Sequence, residues 1–140
     1  MMGRNALRET VLYYTPEQMP HAARLKGVLV QMGIRIRNVA SEQVTDTVGS
    51  LLGIPGAGQE AEGGTQPDAL PALAQEMLVL HNFSGKRLDE LLFNLRRAGV
   101  PKTVLKAVVT EHNINWTFYH LYEEIREEHE RMRFQIVKPF

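Results

Sequence analysis

Apolar residues in this chain fall into two alternating rhythms, one of period two and one of helical period. Thr10–Tyr14 is a short β-favouring run of apolar and aromatic residues that ends at Thr15-Pro16. Beyond it, Ala22, Leu25, Leu29 and Met32 recur along one helical face. That helix is predicted to begin near Gln18–Pro20, where proline is tolerated in a first turn, and to stop at Gly33. Ile34–Val39 alternates apolar with polar residues and projects Arg35 and Arg37 from one side, as an edge strand with one wet face does. Ser41 is placed to cap a weaker helix that reaches Leu51-Leu52 and closes at Gly53.

Residues 54–71 shift to Gly, Pro, Gln, Glu and Ala, the composition of a flexible linker. The same order of elements then returns. Met77–Leu80 is an unbroken apolar run, which predicts a strand buried on both faces. Ser84 caps a helix whose Leu88, Leu91, Leu92, Leu95 and Ala98 form one stripe, ended by Gly99 and Pro101. Thr103–Val109 is a β-branched strand. A last helix starts within residues 110–115, aligns Trp116, Tyr119, Tyr122 and Ile125, and runs out through charged residues to Arg133. Phe134–Val137 fits either a short added strand or a docked tail.

At an offset of about 66 residues, Val11-Leu12 falls on Met77-Leu78, Leu25 on Leu91, Leu29 on Leu95 and Gly33-Ile34 on Gly99-Val100. The pattern predicts one α/β domain over 1–140, built from duplicated βαβα units at 10–53 and 76–133. Each strand–helix–strand crossover should be right-handed, so each unit contributes a parallel pair. The expected sheet has four strands, is mostly parallel in order 2-1-3-4, and carries flanking helices. A ferredoxin-like α+β sandwich is the alternative.

Composition narrows the function. With 140 residues and 44% apolar content, the chain suits one core. Sixteen Lys and Arg balance 16 Asp and Glu, so no overall field favours nucleic acid or an anionic membrane. The absence of cysteine excludes disulfides and thiolate chemistry. Lacking an apolar signal core or any run near the roughly 20 residues of a membrane span, it reads as cytoplasmic with no membrane partner.

Several segments resemble a family of small bacterial proteins known only as a domain of unknown function. In the first half they are Gly33-Ile34-Arg35-Ile36 and Val48-Gly49-x-Leu51-x-Gly53. In the second they are Leu88–Leu92 with Gly99-Val100, Lys106-Ala107-Val108-Val109-Thr110, Asn113-x-Asn115-Trp116-Thr117 and Glu127-Glu128-His129. The resemblance implies no activity, cofactor or partner. Where that family has Thr-Pro-Thr-Asn before the Trp, this chain has Thr110–Asn115, and either Asn113 or Asn115 takes the place of the cap.

No catalytic set assembles from the sequence, and neither a phosphate-binding glycine loop nor a serine elbow is present. In an open parallel sheet, ligands sit beyond the carboxyl ends of the strands. For the expected order this gathers Thr15 with His81, Asn82, Ser84 and Lys86, and with Glu111 and His112 after the fourth strand, as a candidate site for an anionic metabolite. The same residues also serve as caps and turn formers. His120, Glu124 and Glu128 share a helical face but lack a metal-binding motif, so no metal or other cofactor is expected. Arg35, Arg37, Lys102 and Lys106 offer a local basic surface, weighed down by zero net charge and the lack of RNA-stacking aromatics. Phe93 falls on the wet face of its helix, and with Phe134, Ile136 and Phe140 it forms a candidate interface for a protein partner or self-association. The leading expectation is a non-enzymatic interaction or regulatory module; the alternative is a protein that binds an anionic metabolite at the strand-end crevice.

Overall fold

A computed structural model of the protein describes residues 9–54 and 73–137, with side chains described to residue 131. Among the described residues eight principal elements follow in order: β1 (Thr10–Tyr14), α1 (Ala22–Gln31), β2 (Arg35–Asn38), α2 (Val48–Leu52), β3 (Met77–His81), α3 (Gly85–Arg97), β4 (Leu105–Val108) and α4 (Phe118–Val137). Single 3-10 turns at Ser41–Gln43 and Asn113–Asn115 precede α2 and α4.

The sheet order is β2-β1-β3-β4, as the sequence predicts. β1 pairs parallel to β2 and β3 parallel to β4. The central pair corrects the expectation of a mostly parallel sheet. β1 and β3 run antiparallel, with Thr10 opposite His81 and Tyr14 opposite Met77, so the sheet is mixed. The crossover rule governs strands joined within one unit and says nothing about two units joined by a long connection.

That reversal decides where the helices go. Right-handed crossovers that step outward in opposite directions from antiparallel central strands place both crossover helices on one face. Leu25 and Leu29 of α1 and Leu91 and Leu95 of α3 accordingly share a core with Val11, Tyr13, Leu78 and Leu80. On the other face, Val48 and Leu51 of α2 and Phe118, Leu121 and Tyr122 of α4 pack against Leu12, Met77, Val79 and Leu105. The result is three layers, helices on both sides of the sheet.

Both crossover helices end alike. Gly33 and Gly99 adopt φ of +73° and +86°, and the next residues donate back to Leu29 O at 2.9 Å and Leu95 O at 3.0 Å. The last helix of each unit also starts alike: Thr47 Oγ1 accepts from Ser50 N at 3.2 Å and Thr117 Oγ1 from His120 N at 3.0 Å. These two threonines face each other in an antiparallel bridge. On either side, Val48 N donates to Trp116 O and Phe118 N to Asp46 O, both at 2.9 Å.

Three expected elements are corrected. The helix expected from Ser41 to Leu52 is broken, because Val44–Thr47 is β-branched and short-chained and its backbone bonds the second unit. The last helix begins at Phe118, so Trp116 precedes it. Asn113 holds that preceding loop by accepting from Thr110 N and donating to Val108 O. Residues 134–137 continue α4 and form neither a strand nor a separate tail. Within the linker predicted at 54–71, all but Ile54 lies outside the described residues, as does Phe140.

Candidate functional site

At the end of the sheet where β1 finishes and β3 and β4 begin, the α1/α3 face carries a buried polar network. Glu76 immediately precedes β3, and its carbonyl accepts from Leu105 N at 2.9 Å, tying it to the start of β4. Tyr13 O–H donates to Glu76 Oε2 at 2.5 Å, and His21 Nε2 faces Oε1 at 2.6 Å. All three are buried, Tyr13 at 2%, His21 at 5% and Glu76 at 5% relative exposure. A carboxylate removed from water costs several kcal/mol unless its oxygens are satisfied, and here each oxygen has a partner. His21 sits just before α1, where its carbonyl accepts from Leu25 N at 2.9 Å, so the helix start fixes the ring against the strand.

The electrostatics follow from that geometry. Burial pushes the Tyr13 hydroxyl well above its ordinary value, and the hydrogen bond to Glu76 and its charge push the same way, against a smaller opposing bond from Thr15. The Lys26 ammonium lies 5.7 Å from the Tyr13 ring centre. Lys106 projects from β4 on the same face, its ammonium donating to Val104 O at 2.9 Å. Burial pushes the Lys106 pKa down, and the charge of Glu76 opposes that shift.

Lys106 is also where the network meets a cavity. A space of about 240 Å³ is walled by Leu92, Leu95, Val100 and Pro101 and by three cations, Arg96, Lys102 and Lys106. Among the described residues no carboxylate lines it. Such a lining can hold a molecule with an anionic head and an apolar body.

The opposite end of the β1/β3 seam carries a related pair. Glu9 precedes β1 and accepts through its carbonyl from Arg35 N at 3.0 Å. Its carboxylate receives Arg87 in a two-pronged contact, Nε to Oε2 at 2.8 Å and Nη2 to Oε1 at 2.7 Å. Donation to the Glu9 carboxylate raises the Arg87 pKa above its already high ordinary value. Each carboxylate before a central strand thus reaches a base at the start of the other unit's crossover helix.

The sequence-predicted site residues divide between these ends. His81 ends β3, and Asn82, Ser84, Lys86, Glu111 and His112 lie beyond β3 and β4 at the same Glu9 end, whereas the antiparallel pairing puts Thr15 at the Glu76 end. Ser84 Oγ is taken by Arg87 N at 3.2 Å as a helix cap, and Asn82 makes the turn with φ of +69°. His81 is half-buried, and burial lowers its pKa. Lys86, Glu111 and His112 are exposed, and Thr15 Oγ1 donates to Glu17 O at 2.5 Å. Arg35 and Arg37 stand on one edge strand and Lys106 on the other, so no single basic surface joins them. Phe93 is 51% exposed as predicted, with the Arg97 guanidinium 5.8 Å from its ring centre. Phe134 and Ile136 belong to the last turns of α4. Among the described residues no three His, Cys, Asp or Glu gather to hold a metal, and no helix is long and apolar enough to cross a membrane.

Tyr13, His21 and Glu76 escaped sequence reasoning. They lie 55 to 63 residues apart in the pairs that touch, and a tyrosine inside an apolar strand reads as core. The one local hint is an acid set directly against the all-apolar strand Met77–Leu80.

Residues 76–132, the second βαβα unit from Glu76 into α4, match the family described as Domain of unknown function (DUF3783). Residues 10–53 lie outside the match. No curated protein and no solved structure matches the chain.

Proposed function

We propose that this chain is a small binding module, not an enzyme, and that it takes up a small anion in the cavity at Arg96, Lys102 and Lys106. One observation carries the reading: among the described residues three cations and no carboxylate line that cavity, while the chain as a whole is neutral. The test is calorimetric titration of the full chain with inorganic phosphate, acetate and hexanoate. Saturable binding of at least one anion that weakens tenfold or more in Lys106→Met supports the site. Heats of dilution alone for all three would sink it.

A second reading is a protein-interaction module, favoured by Phe93, whose ring is half exposed on α3 beside Arg97. Phe93→Asp is expected to lower the sedimenting mass, or to abolish capture of a partner, with an unchanged far-UV CD spectrum. Identical association in wild type and variant refutes it.

The two units are proposed to descend from one duplicated βαβα element. The support is the paired Gly33 and Gly99 closures, the paired Thr47 and Thr117 caps, and the reciprocal hydrogen bonds between them.

A further inference from the structure

We infer that the occupant of the Lys106 cavity is an amphipathic organic anion whose head meets Lys106, and that its binding is coupled through this lysine to the Glu76 network joining the two units. The inference rests on the anion-binding reading above and deepens it in two respects. Four of the seven lining residues are apolar, and an inorganic ion would leave their surface uncovered. The space, about 240 Å³ and partly open to solvent, admits a small organic anion as well as an inorganic one. An anionic head on a short hydrocarbon chain answers both the cations and the apolar residues of the lining.

The coupling follows from strand register. Met77 pairs with Leu105 and Leu78 with Lys106, so Glu76 and Lys106 are diagonal neighbours on one face of a parallel pair, within reach for long side chains. Lys106 thus lines the cavity within electrostatic reach of Glu76, while its ammonium bonds Val104 O. A carboxylate bound at Lys106 is repelled by the charge of Glu76 across the same short span. By reciprocity, removing that charge strengthens the ligand, and the ligand in turn perturbs the Glu76 network. The groups facing Glu76 from the other elements are Tyr13 on β1 and His21 before α1, with Lys26 of α1 over the Tyr13 ring.

The experiment is titration of the full-length protein with hexanoate and acetate, in wild type, Glu76→Gln, Lys106→Met and the double variant. Hexanoate should bind more tightly than acetate to wild type, Glu76→Gln should tighten hexanoate by roughly threefold or more, and the Lys106→Met background should at least halve that gain. Equal affinity for the two acids overturns the amphipathic ligand. Unchanged or weaker binding in a Glu76→Gln protein that melts cooperatively overturns the coupling and leaves anion binding standing. Failure of every anion to bind wild type removes the anion-binding reading itself. Should Glu76→Gln not fold, the wild-type His21 ring nitrogens supply the answer. Their ¹⁵N resonances should move on saturation with hexanoate and stay fixed in Lys106→Met; fixed resonances in wild type refute the coupling.

Discussion

Tyr13→Phe isolates what the buried network contributes to stability. The substitution keeps the ring, its volume and its place between β1 and α1, and removes only the O–H that donates to Glu76 Oε2 at 2.5 Å. A neutral hydrogen bond is worth about 1 kcal/mol net, and one to an ionised acceptor about 1.5–3 kcal/mol, because the acceptor left behind is a buried charge. The expected loss is therefore about 2 kcal/mol, which at this chain length lowers Tm by roughly 5–10 °C. Tyr14→Phe is the internal control. Its hydroxyl donates to the neutral Leu73 O at 3.1 Å, so its loss should be about half as large. Urea denaturation followed by far-UV CD gives both free energies, with equal m-values confirming that the denatured state is unchanged. The alkaline limb supplies a second readout. Burial raises the hydroxyl pKa of Tyr13, Tyr14 and Tyr119, so above an ordinary value near 10 the folded state holds protons that the unfolded state has lost. This contribution is complete below about pH 10 and declines as pH rises beyond it, and Tyr13→Phe should make the decline shallower. Lys106, depressed by burial, acts with the opposite sign below its ordinary value near 10.4 and is the same in both proteins. A Tyr13→Phe loss under about 0.5 kcal/mol, or no larger than that of Tyr14→Phe, would falsify the view that Glu76 is a buried carboxylate dependent on its donors.

Three further outcomes are expected. Gly33→Ala should cost about 1–2 kcal/mol from its φ of +73° alone, since an added Cβ meets nothing there, whereas Gly27→Ala inside α1 should stabilise by about 0.5–1 kcal/mol; the two denaturation midpoints must move in opposite directions. Trp116→Ala should cost about 1–2 kcal/mol, short of the 3–5 kcal/mol of a fully buried aromatic, because the ring is only half buried and sits edge-on to His120 at 4.4 Å; a loss above about 3 kcal/mol would show a more enclosed ring. His81 is held below its ordinary value near 6.5 by burial, so its stabilising contribution is present above that pH and is lost as pH falls through the lowered value; His81→Asn should flatten the decline of Tm between pH 7 and 5, and parallel curves would refute it.

Strand and helix positions were readable because each rests on a local cause. Leu25 and Leu29, and later Leu91 and Leu95, announce their helices by spacing, and Gly33 and Gly99 announce their ends. The order of strands followed too, since the alternating Arg35–Asn38 had to be an edge and Met77–Leu80 had to be central. The direction of β3 relative to β1 was not readable. Nothing in Thr10–Tyr14 or Met77–His81 encodes which way the other runs, and a long connection permits both. That one undetermined sign moved Thr15 away from His81 and dissolved the crevice drawn between them. It also brought Glu76 beside Tyr13 and His21, a contact invisible to periodicity because each partner looks ordinary in its own segment. Trp116 failed for a different reason. It keeps the helical spacing of Tyr119 and Tyr122, yet Thr117 is the cap, and a cap interrupts a stripe without changing its rhythm.

The two carboxylates before the central strands stand in equivalent places and are answered by different bases, and the difference has a physical cause. Arg87 and Glu9 keep 32% and 19% of their side-chain surface in contact with solvent, so a permanent cation with a two-pronged fork can be held there without a large desolvation cost. His21 and Glu76 keep 7% and 4%. A guanidinium at His21 would carry an obligatory charge into that space, whereas an imidazole can donate to a carboxylate in its neutral form. The buried end can therefore close over its acid, and with Tyr13 supplying the second donor it does so without an unmatched oxygen. What it leaves over is Lys106, a half-buried ammonium whose firmest contact is a backbone carbonyl and which faces the cavity. At the arginine end the charges of the clamp answer each other; at the histidine end Lys106 stands outside the clamp, beside Arg96 and Lys102 at the cavity. The anion proposed for the cavity would therefore sit at the end where that ammonium stands.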